Sequence, residues 1–154
     1  VIGLGYPGGP KVDKLAKEGK PTIELPKTHF DNLDFSFSGI KTAVINLHHK
    51  MPDLNKADLC SSFEKVVTEE LIENTLKAAK QLKIKKIALA GGVSANSYIR
   101  AQFIDLEKQG YQIFYPEPVL CTDNAAMIAS AGYYQYLAGT RSDLSLNAVP
   151  NLSL

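Results

Sequence analysis

A strand, a glycine turn, a helix and a second strand are predicted in succession between residues 86 and 115, and this pattern constrains the fold most. Residues 86–90 form a short, mostly apolar run of the kind found in buried parallel strands. Two glycines then turn the chain, Ser94 is placed to cap a helix, and Gly110 is placed to end it. With residues 111–115 as the next strand, the pattern predicts a parallel βαβ unit and an α/β protein.

The rest of the chain is predicted to be mostly helical. Apolar residues at spacings of three and four predict one long helix over residues 56–82, packed on the sheet. Shorter helices are predicted at residues 11–18, 40–48 and 124–137. Between them the pattern predicts a turn cluster at 3–10, an irregular connection at 21–34 and a short strand at 35–38. Gly19 and Gly39 are predicted to end the first helix and this strand.

The composition is that of a single globular domain. The chain has 154 residues, of which 45% are apolar and 21% charged, and this suffices for a hydrophobic core. A formal charge of +1 gives no support for a strongly basic nucleic-acid binder. Two cysteines, Cys60 and Cys121, exclude a disulfide framework and indicate a reducing, cytoplasmic location. No apolar run approaches the ~20 residues that span a bilayer, so no membrane partner is expected.

The segment Gly-Gly-Val-Ser-Ala-Asn at residues 91–96 is the first candidate binding site. Ligands of open α/β sheets bind at the carboxyl ends of the strands, and this segment follows one. Its glycines leave backbone amides accessible, the following helix start favours negative charge, and Asn96 offers both a donor and an acceptor. The alternative is an ordinary strand–turn–helix junction with Asn96 in the first helical turn.

Two further positions are candidates on chemical grounds. Asp123 follows a strand and a loop at the start of a helix, so it is either an N-cap or a carboxylate presented as a metal ligand. One carboxylate cannot hold a catalytic metal without other ligands. The segment Tyr-Pro-Gly-Gly-Pro at residues 6–10 is either a rigid turn or a backbone clamp on a ligand, with Asp13 accepting hydrogen bonds from ligand hydroxyls.

Four motifs, taken together and in this order, closely resemble the C-terminal part of the TsaD family of tRNA threonylcarbamoyladenosine-modifying transferases. They are Tyr-Pro-Gly-Gly-Pro at 6–10, Phe-Ser-Phe-Ser-Gly-Ile-Lys-Thr-Ala-Val at 35–44, Gly-Gly-Val-Ser-Ala-Asn at 91–96 and Cys-Thr-Asp-Asn-Ala-Ala-Met-Ile-Ala at 121–129. The resemblance covers nearly the whole chain.

The resemblance implies a fold, a reaction and a set of site residues. It implies the second domain of the superfold shared by actin, heat-shock chaperone ATPases and sugar kinases, with a mixed sheet flanked by helices over residues 1–154. The family transfers a threonylcarbamoyl group from threonylcarbamoyl-AMP to the exocyclic amine of the adenosine next to the tRNA anticodon. Residues matching Gly9, Asp13 and Asn96 hold the adenylate or ATP-type nucleotide, and Asp123 matches a ligand of an iron or zinc ion.

The family's other metal ligands are two histidines of a His-x-x-x-His motif, which this sequence lacks. The motif belongs to the family's first domain, so the chain is expected to be a fragment that is inactive alone. Metal affinity through Asp123 alone is expected to be negligible, and an exposed inter-domain face is expected to favour self-association. Family partners are tRNA, a TsaB-like paralogue and a TsaE-like ATPase. The alternatives are a phosphotransferase or ATPase of the same superfold and a non-catalytic docking module.

Overall fold

The computed structural model describes residues 2–28, 30 and 32–150. Residues 29 and 31, which fall in the predicted connection 21–34, lie outside the described residues, as do residues 151–154. The chain divides into two compact units, Val1–Cys121 and Thr122–Leu154.

The first unit is an α/β structure with a small parallel sheet, as the βαβ pattern predicts. The mixed sheet implied by the resemblance is not seen among the described residues, whose two strands pair in parallel. Its helices are α1 (Gly8–Ala16), α2 (Ser38–Lys50), α3 (Lys56–Gln81) and α4 (Ser97–Ile104), and its strands are β1 (Lys86–Ala88) and β2 (Gln112–Phe114). The strands pair in parallel, with Ile87 opposite Ile113. Gly110 adopts a left-handed conformation with φ 81°, which confirms the turn predicted between α4 and β2.

The main apolar core lies where α4 and the end of α3 meet the two strands. The inner face predicted for α4, formed by Ile99, Phe103 and Leu106, is buried there against Ile87 and Ile113. Ala79 near the end of α3 joins the same cluster, with Leu71, Ile72 and Leu76 packed against it. The predicted packing of the long helix on the sheet is therefore confirmed. This core holds the start of α4 in place.

The first half of α3 is buried more completely than its apolar stripe predicts. Asn55 caps this helix, its side chain accepting hydrogen bonds from the backbone N–H groups of Ala57 and Asp58. α1 packs along the helix, and α2 and α4 also contact it. Four polar residues of α3 are consequently buried: Ser62, Glu64, Thr68 and Glu70. Periodicity of apolar residues could not predict these positions, because they lie off the apolar stripe.

The predicted boundaries of the first helix were wrong at both ends. α1 begins at Gly8 rather than at residue 11, so only the first part of the predicted turn cluster is irregular. Pro10 is tolerated inside the helix because the first-turn N–H groups have no intrahelical partner. The helix ends at Ala16 with Lys17 as its C-cap, so Gly19 is not its C-terminal stop.

The strand predicted at residues 35–38 was also wrong. The structure has no strand there; Ser38 and Gly39 instead form the first turn of α2, so Gly39 breaks no element. Phe35 and Phe37 stack on each other, with ring centroids 5.9 Å apart. An alternation of only four residues is weak evidence for a strand, and these two rings pack on each other with no neighbouring strand beside them.

The second unit contains one helix, α5 (Ala125–Leu137), within its described residues. Asn124 is its N-cap, because the Asn124 Oδ1 atom accepts a hydrogen bond of 3.1 Å from the Met127 N–H. The N-cap role considered for Asp123 is therefore wrong, since Asp123 immediately precedes the cap. Across residues 2–28, 30 and 32–150, no helix is both long enough and apolar enough to cross a membrane.

Candidate functional site

The start of α4 is built from a glycine turn and one turn of 3-10 helix, Gly92–Ala95. Gly91 has φ 84°, a conformation that a residue with a Cβ rarely adopts. The Ser94 hydroxyl donates a 2.7 Å hydrogen bond back to the Gly91 carbonyl oxygen, and the helix cap predicted at Ser94 was wrong. Asn96 is the N-cap instead. The cap shifts by two residues because the 3-10 turn delays the first α-helical residue to Ser97.

The Asn96 carboxamide is held by both of its polar atoms. Its Oδ1 accepts a 2.9 Å hydrogen bond from the Ile99 N–H, which is the capping interaction. Its Nδ2 donates a 2.6 Å hydrogen bond to the Oε1 of Glu64, which lies in the first half of α3. Asn96 remains half-buried, whereas Glu64 is buried. A ligand could therefore reach Asn96 without touching Glu64.

Asp13 of α1 reaches the same helix start. Its Oδ1 accepts hydrogen bonds from the Ser97 N–H at 3.0 Å and from the Ser97 hydroxyl at 2.6 Å. Its Oδ2 lies 3.3 Å from the Lys17 Nζ, one turn later in α1. The structure thus brings together Asp13 and Asn96, which are far apart in sequence. Gly9 lies one turn before Asp13, and a Cβ added at Gly9 would meet no heavy atom within 4 Å.

The pKa values of the two carboxylates at this helix start are shifted in opposite directions. Partial burial raises the pKa of Asp13, but hydrogen bonds from Ser97 and Lys17 outweigh it and leave this pKa below its ordinary value. Burial raises the pKa of Glu64, and the charge of Asp13 raises it further, whereas the Asn96 hydrogen bond opposes both. Asp13 is therefore the carboxylate that stays ionised, and Glu64 is the one for which ionisation is costly.

The lowered pKa of Asp13 predicts an acid-dependent loss of stability. Its hydrogen bonds to the ionised form should stabilise the fold fully above the ordinary pKa of 3.8 and progressively less as the pH falls through the folded value. We expect the free energy of unfolding of wild type to exceed that of Asp13→Asn at neutral pH, and the difference to shrink on acidification. Urea unfolding at a series of pH values measures it. Asp105→Asn, which alters an exposed carboxylate paired with Lys108, is the control. A difference that grows on acidification would contradict the assignment.

Arg100 ties the glycine turn to the segment after β2. Its guanidinium donates hydrogen bonds to the Ser94 carbonyl oxygen at 3.0 and 3.2 Å, to the Pro116 carbonyl oxygen at 2.9 Å and to the Cys121 Sγ at 3.2 Å. It also lies 4.9 Å from the centroid of the Tyr115 ring. Two carbonyl groups are satisfied in this way, so Arg100 fixes the shape of the turn that carries Asn96.

A second feature near α1 is an apolar groove that Gly8 borders. It has a volume of about 380 Å³ and lies between the segment before α1 and helices α1, α2 and α3. Its lining is mostly apolar and includes Leu4, Gly8, Val12, Phe37, Lys41 and Cys60. Neither Asp13 nor Asn96 lines this groove, so it is separate from the polar cluster at the start of α4.

The described residues do not by themselves form the metal site that the resemblance implies. Among residues 2–28, 30 and 32–150, no group of three or more His, Cys, Asp or Glu side chains is placed to hold a metal ion. Asp123 supplies one carboxylate, whereas zinc sites in proteins use about three or four protein ligands. No chemical step is assigned to a metal, and the metal-binding role of Asp123 stays a prediction.

Comparison with known proteins decides the family. The family model described as TsaD, tRNA N6-adenosine threonylcarbamoyltransferase, matches residues 1–130. The chain belongs to the TsaD family. A relative from Clostridium perfringens (strain SM101 / Type A), named tRNA N6-adenosine threonylcarbamoyltransferase, is 54% identical over 162 aligned residues. Relatives with the same name from Clostridium kluyveri and from Clostridium botulinum (strain Hall) are 52% and 51% identical.

The chain spans about half the length of these curated relatives. Each alignment covers 100% of this chain and 48% of the relative. Among solved structures, the crystal structure of T. kodakarensis HypF superposes with a TM-score of 0.57 at 20% identity, over 88% of this chain and 18% of that chain. At this identity the likeness extends to the fold alone.

Three residues of the polar cluster were not predicted from the sequence, although two of them lie next to a TsaD motif. Ser97 directly follows the glycine motif, and Arg100 lies one helical turn after Asn96, but neither position has a chemical signature of its own. Glu64 lies in a helix whose apolar stripe predicts it to be an ordinary surface carboxylate. The role of Glu64 can be recognised only from the tertiary structure, in which α1 and α4 cover this part of α3.

Proposed function

We propose that the chain supplies the nucleotide-contacting part of an enzyme that transfers a threonylcarbamoyl group from threonylcarbamoyl-AMP to tRNA. The acceptor is the exocyclic amine of the adenosine next to the anticodon. Membership of the TsaD family and the name shared by its relatives support this proposal. The single observation that carries it is the convergence of Asp13 and Asn96 at the start of α4.

The polar cluster has the chemistry to recognise a hydroxyl group of the nucleotide. A hydroxyl donates one hydrogen bond through its O–H and accepts others through its lone pairs. Asp13 Oδ2 has acceptor capacity beyond its contact with Lys17, and Asn96 Nδ2 has a second N–H beyond the one given to Glu64. Two nearby carboxylates disfavour a phosphate in direct contact. The open backbone at Gly9, one turn before Asp13, adds room for the ligand.

The proposed transfer is an acyl substitution that needs no oxidant. The adenosine amine nitrogen forms a bond to the carbamoyl carbon, the bond from that carbon to the phosphate oxygen breaks, and AMP leaves while the amine loses a proton. The residues of this chain would bind and orient the AMP portion. Because the chain spans about half of its relatives, the rest of the catalytic cleft is expected from the other half, and the chain alone is expected to leave tRNA unmodified.

The finer assignments follow from the same proposal. The chain would be the second domain of a two-domain protein of the actin, chaperone ATPase and sugar-kinase superfold. Asp123 would join two histidines of the other domain in binding iron or zinc. tRNA would be the substrate in the cytoplasm, and a TsaB-like paralogue and a TsaE-like ATPase would be the partners. A separated half would also tend to self-associate through the face that normally meets the other half.

AMP binding by the chain tests the nucleotide site. Asn96→Ser keeps a side-chain oxygen that can cap α4 but removes the amide donor, whereas Asn96→Ala removes both. We expect both variants to bind AMP at least about tenfold more weakly in isothermal titration, since loss of one hydrogen bond to a ligand costs about 1.5 kcal/mol. Asn96→Ser should keep α4 capped but unfold at a somewhat lower midpoint than wild type, because the buried Glu64 carboxylate loses its hydrogen bond.

Asn74→Ala is the matched control for this test. Asn74 lies on α3 and donates a hydrogen bond to the Asp34 carbonyl oxygen, outside the cluster. It should bind AMP as wild type does. A chain that binds no AMP, or an Asn96→Ser variant that binds it normally, would contradict the proposed site. Phosphorylation of a sugar from ATP would favour the phosphotransferase alternative.

The docking-module alternative gains no support from the helices on which it depends. It required exposed apolar side chains on the helices predicted at 40–48 and 56–82. In the described part of the chain, the strongly exposed large apolar side chains lie outside α2 and α3, and Ile40 is only 1% exposed. Leu82, the last residue of the range predicted as 56–82, is 67% exposed, but it is the C-cap of α3 and forms no exposed apolar face by itself.

A further inference from the structure

Glu64 is a buried residue whose carboxylate accepts a hydrogen bond from one side chain, that of Asn96. It is only 6% exposed, and its Oε1 accepts the 2.6 Å hydrogen bond from Asn96 Nδ2 across 32 residues of sequence. The backbone carbonyl of Glu64 has a separate role, because it accepts a 2.6 Å hydrogen bond from the Thr68 hydroxyl. The carboxylate therefore contributes little to the helix in which it lies, and its contact is with the start of α4.

The two contacts of Asn96 define the orientation of its carboxamide. The Ile99 N–H is a donor and must face the Oδ1 atom, while the Glu64 carboxylate is an acceptor and must face the Nδ2 atom. A carboxamide turned by about 180° would place oxygen against carboxylate and N–H against N–H. One N–H of Nδ2 remains, and its direction is set by the other two contacts. The second N–H of Asn96 Nδ2 is consequently a donor with a fixed direction on the accessible side of the residue.

The charge of Glu64 is a cost to folding that a neutral acceptor would avoid. Burial and the neighbouring Asp13 both raise the pKa of Glu64, which means that its ionised form is disfavoured in the folded chain. A glutamine of nearly the same size could accept the same hydrogen bond without that cost. Natural proteins break local stability rules of this kind at functional sites.

We propose that Glu64 is a positioning residue, which orients the Asn96 carboxamide so that its remaining N–H points at an acceptor atom of the bound nucleotide. The inference rests on the proposed nucleotide site. Glu64 itself touches no ligand. Its effect passes through Asn96 and is felt as affinity for the nucleotide.

Glu70 provides a matched control on the same helix. It is also 6% exposed, and its Oε1 accepts a 2.7 Å hydrogen bond from the Thr28 N–H, away from α4. Glu64→Met and Glu70→Met each remove one buried carboxylate that accepts one hydrogen bond, so both should be destabilised. Glu64→Gln keeps an acceptor near Asn96 and separates the hydrogen bond from the charge.

Titration with AMP by calorimetry tests the effect on affinity. We expect Glu64→Met to bind AMP about tenfold more weakly than wild type, because loss of a charge-assisted hydrogen bond frees the carboxamide to rotate. Glu64→Gln should recover most of the affinity, and Glu70→Met should match wild type. Normal affinity in Glu64→Met together with weak binding in Asn96→Ser would overturn the positioning role but leave the nucleotide site intact. Normal affinity in Asn96→Ser would overturn the site itself.

Nuclear magnetic resonance of the Asn96 side-chain amide tests the contact without any ligand. In wild type the two Nδ2 protons should differ strongly in chemical shift, with slow exchange of the one bonded to Glu64. In Glu64→Met they should move towards the values of an exposed carboxamide, and in Glu70→Met they should not. Unchanged Asn96 signals in Glu64→Met would overturn the proposal, whatever the result of the AMP titration.

Discussion

Gly19→Ala is expected to destabilise the first unit by about 3 kcal/mol or more, a large effect for the addition of one methyl group. A Cβ at this position would stand 2.2 Å from the backbone carbon and oxygen of Ala57 and 2.6 Å from the Asp58 N. These are backbone atoms in the first turn of α3, so no side chain can rotate away to make room. Either the segment after α1 or the start of α3 would have to move.

The displacement would also break a contact that links the segment after α1 to α3. Directly after Gly19, the Lys20 N–H donates a 2.8 Å hydrogen bond to Asp58 Oδ1. Because α1 carries Asp13, separation of α1 from α3 should also weaken the polar cluster at the start of α4. We therefore expect the substitution to reduce AMP binding together with stability.

Urea unfolding followed by circular dichroism measures the effect, with Gly39→Ala as the control. Gly39 lies in the first turn of α2, and a methyl group added there would have only the Thr28 hydroxyl oxygen nearby, at an ordinary 3.7 Å. This control should leave stability unchanged or raise it by about 0.5 kcal/mol, because alanine is the better helix former. Equal unfolding midpoints for the two variants would show that the close approach at Gly19 is absent in solution.

Arg100→Ala is expected to lower the free energy of unfolding by about 2–4 kcal/mol, the cost of leaving several partly buried acceptors without donors. The Ser94 and Pro116 carbonyl oxygens each lose the guanidinium, and the Tyr115 ring loses its cation. Arg100→Lys should recover less than half of this loss. An ammonium group is a single point of charge and cannot bridge acceptors that a planar guanidinium reaches from different edges.

Arg141 offers a closely matched control for Arg100. Its guanidinium also donates to two carbonyl oxygens, those of Tyr136 and Thr140, and lies 4.0 Å from the centroid of the Tyr136 ring. These contacts are exposed, so Arg141→Ala should change stability by less than about 0.5 kcal/mol. If both alanine variants unfold at the same urea concentration, the hydrogen bonds of Arg100 do not stabilise the glycine turn, contrary to this prediction.

Local sequence patterns determined the elements whose causes lie within a few residues. The spacing of apolar residues predicted α3, a short apolar run predicted β1, and the glycine turn with the strand on either side predicted α4 and β2. Gly110 could be placed because a left-handed turn after a helix favours glycine regardless of what packs around it. The four TsaD motifs determined the family, since their combination depends only on residue identity and order.

The tertiary structure decided what depends on contacts between distant residues. Asp13 meets Ser97 across 84 positions, Glu64 meets Asn96 across 32, and the backbone at Gly19 passes so close to Ala57 that no Cβ fits between them. No local pattern encodes such pairs, because helical and strand periodicity reports only which side of an element is apolar. Residues 35–38 show the same limit: they alternate as a strand would, but a strand also needs a neighbouring strand to pair with, and the alternation does not report one. Chain packing alone makes Glu64 a buried partner of Asn96 and Gly19 a point of close approach.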